Sequence, residues 1–188
     1  ILWGLKSVHR ICACDPGYGA TLVANGACAS VVKALRCHVA DNEVLSLGLK
    51  ACSLLAQTGG VITLFQVDLH VALAGIMAME APDAKVIEQA FVLISSLCGG
   101  NNANTDTQKL LGQLGLCELS MQMLHVKQFK SSLTVTCTGC GALASLARDC
   151  VENNAILGQD SCNAPEWCMD ALKAHAESLD VLIAVCTL

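Results

Sequence analysis

Thirteen cysteines and five histidines are the side chains best able to do chemistry in these 188 residues. Cys137-x-x-Cys140 has the spacing of a redox pair or of half a zinc site. On a helix the two sulfurs stand one turn apart, and Cys140 falls near an apolar stripe. A structural zinc site takes four ligands, and no second pair at a suitable spacing accompanies this one. Packing is the expected role, and no metal or other cofactor is expected. Cys12-Ala13-Cys14, at a helix end, makes no better site. His38, His70, His125 and His175 have the right chemistry for general bases. Two of them recur in register, however. His38 and His175 each lie six residues before a recurring valine, Val44 and Val181, and three after a leucine, Leu35 and Leu172. Catalysis needs one asymmetric cluster, so a repeated histidine points to a structural task such as bonding a helix-end carbonyl. Ser95-Ser96 and Ser131-Ser132 lack the glycines of a nucleophile elbow. Gly99-Gly100 lacks the Lys-Thr or Lys-Ser of a phosphate loop. Trp3 and Trp167 are single aromatics on helical stretches, and Trp167, beside Cys168, is read as packing. The chain is expected not to be an enzyme.

The elements that carry these residues repeat. Val135–Ala147, VTCTGCGALASLA, recurs as Val86–Cys98, Val44–Ala56 and Ile1–Ala13, and begins again at Val181. The starts at 1, 44, 86, 135 and 181 are 43, 42, 49 and 46 residues apart, the mark of a helical solenoid. Counting each start as zero, offsets 4, 7, 8 and 11 are Gly48, Ala51, Cys52, Leu55, then Ala90, Leu93, Ile94, Leu97, then Gly139, Ala142, Leu143, Leu146. That spacing places all four on one apolar helix face, small near its start so that a neighbouring helix can come close. Offsets 6 and 10 lie off the stripe and vary: Ser7 and Ile11, Lys50 and Leu54, Val92 and Ser96, Gly141 and Ser145. A face constant in chemistry packs on something constant, and a face that varies is free to meet something else.

Composition limits the function classes. Aromatics at 3% and charged residues at 14% against 54% hydrophobic suit closely packed helices better than an aromatic-stranded sandwich. A net charge of −5 argues against nucleic acid, which needs a basic footprint. The mean hydropathy of +0.55 is high enough to raise a membrane span. The longest candidate, Ala51–Met79, is interrupted by Gln57, Thr58, Gly59, Gly60, Asp68 and His70, whereas a span wants roughly 20 mainly apolar residues. No span is expected. The odd cysteine count, without framework spacing and with many cysteines on apolar stripes, fits a reducing, cytoplasmic setting.

In chain order, residues 1–13 are expected to end one repeat, with further repeats at 14–56, 57–98 and 99–147 and a truncated one at 148–188. Asp15-Pro16-Gly17 reads as a turn, Thr21–Asn25 as a short first helix or turn, and Ala27 onward as a second helix. In the next repeat Gly59-Gly60 reads as the turn, Val61–Phe65 as the short helix and Asp68–Met79 as the second. Gly99-Gly100-Asn101-Asn102 is the most loop-like stretch, before Lys109–Leu114 and Leu116–Val126. Asn153–Gly158 and Pro165–Ala176 complete the fourth set. Cys28 and Cys162 each lie 15 residues past a core segment, after Ala13 and Ala147, and read as equivalent. Both ends fall inside core helices, so the sequence is expected to be part of a longer array.

Asn153-Asn154-Ala155-Ile156-Leu157-Gly158, a helix ending Ala171-Leu172-Lys173-Ala174-His175, and a third helix ending Ala-Ser-Leu-Ala at 147 resemble the armadillo repeat. The resemblance covers nearly the whole chain. It implies an all-α, right-handed solenoid of three-helix repeats whose third helices line a groove for an extended peptide. In importin-like members that groove carries Trp and Asn four apart, at offsets 6 and 10 here. Offset 6 reads Ser7, Lys50, Val92, Gly141, Thr187 and offset 10 reads Ile11, Leu54, Ser96, Ser145, so that ladder is absent. The expected function is a protein-interaction scaffold with Ser7, Ile11, Lys50, Leu54, Val92, Ser96, Gly141 and Ser145 as contacts. Two alternatives stay open: a regulatory or targeting segment of a larger protein such as a kinase, packed on its own domains, and a cysteine-rich metal or redox module.

Overall fold

A computed structural model describes residues 1–80, 82–99 and 105–188. The part of the glycine-asparagine stretch expected as a loop at 100–102 lies outside those residues. Among the described residues every regular element is helical. The helices are α1 (Leu2–Cys14), α2 (Pro16–Ala24), α3 (Ala27–Cys37), α4 (Asn42–Leu55), α5 (Val61–Gln66), α6 (Leu69–Met77) and α7 (Ala84–Cys98). They continue with α8 (Thr105–Gln113), α9 (Leu116–His125), α10 (Leu133–Ala147), α11 (Val151–Leu157), α12 (Ala164–Ala174) and α13 (Leu179–Thr187). The architecture is an all-α, armadillo-like solenoid. The long helices α1, α4, α7, α10 and α13 stack in sequence, each packed on the next.

The recurring segments are these stacked helices. Each of α4, α7, α10 and α13 begins two residues before the valine that marks its repeat, because a capping side chain sits three residues before that valine. Asp41 accepts from the N–H groups of Glu43 and Val44, Asp83 from Lys85, Ser132 from Val135 and Ser178 from Val181. Each satisfies a donor that has no intrahelical partner.

The second helices α3, α6, α9 and α12 all start from a left-handed residue: Gly26 (φ 80), Asp68 (φ 57), Gly115 (φ 78) and Asn163 (φ 48). That conformation lets the chain turn sharply out of the first helix, and glycine, Asp and Asn are the residues that adopt it most readily. The first helices correct the sequence reading. Asp15-Pro16-Gly17 is not a free turn: Asp15 caps α2 through Gly17 N–H at 2.8 Å, and Pro16 occupies the first helical position. The helix α8 begins four residues before Lys109, and α11 begins at Val151 instead of Asn153. Gly59-Gly60 does make the expected turn. The helical path leaves α4 at Thr58 (φ −93, ψ 19), turns at Gly59 (φ 92), and resumes as α5.

The stretch Asn42–Gln66 is long and apolar enough to cross a membrane by length and composition alone. It is bent at Gly59, and its apolar side chains are core. Leu45, Leu49, Cys52, Leu55 and Leu64 are fully buried. The predicted stripe is buried in α4, α7 and α10 at all four offsets. Where its first position is glycine, a leucine takes the space. A Cβ on Gly48 would lie 2.6 Å from Leu35 Cδ2, and one on Gly139 would lie 2.6 Å from Leu124 Cδ2. Each leucine so seated contributes about 1.5–3 kcal/mol of burial.

Candidate interaction surface

The varying offsets fall on adjacent stacked helices and stay accessible. Ser7, Ile11 and Lys50 are exposed, and Leu54, Val92, Ser96, Gly141 and Ser145 are half-buried. The row is held by contacts between neighbouring helices. Lys6 on α1 pairs with Glu43 on α4 at 3.1 Å. Ser53 on α4 and Ser96 on α7 bring their hydroxyls within 2.5 Å, and Gln57 donates to Ser96 at 3.2 Å. A Cβ on Gly141 of α10 would lie 3.8 Å from Ser95 Oγ on α7. Small residues at these positions let the helices lie side by side without filling the outer face.

The serine hydroxyls in the row share one geometry. Each donates to the carbonyl four residues back: Ser7 to Trp3 at 2.9 Å, Ser96 to Val92 at 2.9 Å and Ser145 to Gly141 at 2.7 Å. With its proton committed, such a hydroxyl offers a visitor only oxygen lone pairs. Ser96 is further occupied by Ser53 and Gln57, so it serves the helix contact as well as the surface.

Charge in the row is concentrated at one end. His9, beside the row on α1, has its pKa lowered by desolvation, then by the positive charges of Lys50 and Arg10. Lys50 and Arg10 are both exposed. Lys50 and Arg10 both lie near enough to His9 to act on it, which makes a cationic corner between α1 and α4. Arg10 was not among the residues chosen from sequence. It sits one position from Ile11, and its signal was a second positive charge beside a row whose one charged member is Lys50.

Behind the row, Gln108 and Asn153 brace the third repeat. Gln108 Nε2 donates to Ser145 O at 2.8 Å and Arg148 O at 2.7 Å. Asn153 Nδ2 donates to Gln108 O at 2.9 Å and Leu146 O at 2.8 Å. Both side chains are buried, and together they satisfy carbonyls at the end of α10 that helix geometry leaves open.

Cys140 is buried on α10, and burial pushes its thiol up to about 12; Cys137, half-buried one turn away, is also raised by burial, then by Asp180. Among the described residues no group of three or more His, Cys, Asp or Glu is placed to hold a metal ion. His38 and His175 both cap the C-terminal ends of second helices, with nearly the same backbone angles. The ring of His175 lies 3.0 Å from Lys130 O, while His70 stacks on Phe65 with centroids 5.3 Å apart. Trp167 is buried and donates from Nε1 to Leu124 O at 3.4 Å. The matching spacing of Cys28 and Cys162 is not equivalence. Counted from the caps Gly26 and Asn163, Cys28 lies two residues after and Cys162 one before.

The fold defines the class: an armadillo-like helical repeat architecture. Among solved structures, a designed armadillo repeat protein is similar with a TM-score of 0.65, covering 97% of this chain and 89% of that one at 16% identity. At that identity the likeness is one of fold. No family model and no curated protein matches the chain.

Proposed function

We propose that the protein is a non-enzymatic scaffold, in a reducing intracellular setting, that binds an extended segment of a partner protein along the row of stacked helices. The observation that carries this reading is the row itself: Ser7, Ile11, Lys50, Leu54, Val92, Ser96, Gly141 and Ser145 vary in type yet all stay accessible, while the opposite faces of α4, α7 and α10 are buried at every stripe position. The proposed segment donates backbone N–H groups to Ser7 and Ser145, lays aliphatic side chains on Ile11, Leu54 and Val92, and passes closest over Gly141. It carries a carboxylate to the corner formed by Arg10 and Lys50.

Selection of a displayed random-peptide library on the chain tests this. The control is a variant carrying Leu54→Asp and Ser145→Arg, shown by circular dichroism to be equally helical. Peptides enriched on the natural chain are expected to bind the variant at least about tenfold more weakly, a loss of about 1.4 kcal/mol. Lys50→Glu is expected to weaken those that carry an acidic residue and to flatten their salt dependence. Equal binding to natural and variant chains places the contact elsewhere and overturns the reading.

A further inference from the structure

The second helices meet at three junctions of the same repeat position: the molecule fills α9–α12 with an indole, carries Leu119 at the matching place in α6–α9, and leaves α3–α6 open. The left-handed caps Gly26, Asp68, Gly115 and Asn163 supply the register. Nine residues past its cap, Leu35 on α3 corresponds to Leu124 on α9. Four past its cap, Ala72 on α6 corresponds to Trp167 on α12, and seven past, Gly75 corresponds to Asp170. Between α9 and α12 the indole of Trp167 is seated with its N–H on Leu124 O, and His175 closes over toward Lys130 O. About 50 Å³ remains there. Between α3 and α6 the indole is replaced by a methyl group and the aspartate by hydrogen. The cleft there measures about 610 Å³. Leu35, Ile76 and Met79 line it, Val39 and Val71 are each 53% exposed at its mouth, and Arg36 stands at the rim, paired with Asp68 at 3.4 Å.

That volume and apolar lining belong to binding pockets, not to packing defects. The α9–α12 cleft shows one occupant that this geometry accepts: a flat aromatic ring with a donor for the carbonyl of the ninth residue, here Leu35. We infer that the α3–α6 cleft is a docking site for an indole side chain carried on a short apolar segment of a partner protein. The cleft exceeds one ring in volume, so aliphatic neighbours of the anchor share it. This site lies on the second helices and does not depend on the row of stacked helices.

The test is an amide NMR titration of the chain with N-acetyl-tryptophanamide, beside N-acetyl-leucinamide. The expected result is saturable shifts confined to the amides of Val39, Val71, Gly75 and Met79 and their neighbours. Binding of the leucine derivative is expected to be about three- to tenfold weaker, since it lacks the ring and its donor. Ala72→Trp, which copies Trp167, is expected to abolish the shifts by filling the cleft from within. Gly75→Asp narrows it without a large side chain, at a helix position where a Cβ meets open space, and is expected to weaken binding while leaving the fold unchanged. No shifts at the cleft, shifts that survive both variants, or equal binding of the leucine derivative would each overturn the proposal. So would cleft shifts that track protein concentration without any probe, which would make a second copy of the chain the occupant.

Discussion

Asn153 donates to carbonyls in two different helices, Gln108 O on α8 and Leu146 O on α10. Asn153→Ala leaves both acceptors buried without this donor, and each lost bond with its stranded partner costs roughly 1–3 kcal/mol. A chemical melt is expected to show a loss of about 3 kcal/mol at unchanged m-value. Gly112→Ala tests the same site from the other side, because a Cβ there collides with Asn153 Oδ1. The cysteines make a second prediction. Burial pushes the thiols of Cys98, Cys117 and Cys140 up to about 12 from an ordinary value of 9.0, and that of Cys52 higher still. The folded state therefore keeps protons that the unfolded chain releases above pH 9. Stability is expected to be flat in these groups below that pH and to fall as pH rises from 9 toward 12. Alkylation at pH 8 should label the exposed Cys14, Cys37 and Cys186 first and reach Cys52, Cys98, Cys117 and Cys140 only with denaturant.

Among the elements, the caps set where the stacked helices begin. Asp41, Asp83, Ser132 and Ser178 stand at the same distance before their repeat valines, so each fixes the start, and hence the register, of its helix. Asp41→Ala, which loses bonds to two N–H groups, is expected to cost about 1 kcal/mol or somewhat more, and Ser132→Ala about 1 kcal/mol or less, by urea melts. The glycines at the close approaches are less forgiving. Gly139→Leu would drive a branched side chain into Leu124 and separate α9 from α10, and a loss well beyond the caps, about 3 kcal/mol, is expected. The apolar period alone located every one of these stacked helices, but the first helices were read too short. In α2, α8 and α11 few apolar residues mark the first turn, so the cap of α2 at Asp15 is hidden by the turn-like look of Asp15-Pro16-Gly17 and the start of α8 by the polar Thr105–Gln108.

Across the whole molecule, stability passes from neighbour to neighbour, as in any stacked repeat. The helices α4, α7 and α10 are each flanked by a stacked helix on both sides, and α1 and α13 on one. Amide exchange in this chain is expected to be slowest in α7 and its flanking helices and faster in α1 and α13, where Trp3, Leu179 and Ile183 are exposed. Uniform protection from end to end would contradict such a neighbour-to-neighbour scheme.

The repeat period, the buried stripe at offsets 4, 7, 8 and 11 and the division into constant and varying faces were legible in the residues themselves. They arise from local periodicity: a helix with one apolar face has to bury it, and five such helices at near-equal spacing can do so only by stacking. Which surfaces remain open was not legible, because it depends on what residues far apart in the chain present to each other. Ala72 and Trp167 are both unexceptional in sequence, and only the pairing of α3 with α6 and of α9 with α12 shows that one leaves a cleft and the other fills it. Likewise, Ser96 reads as a surface serine until Ser53, 43 residues earlier, is found against it. Local spacing chooses the helix faces, whereas the fit of distant side chains decides which parts of those faces are left for a partner.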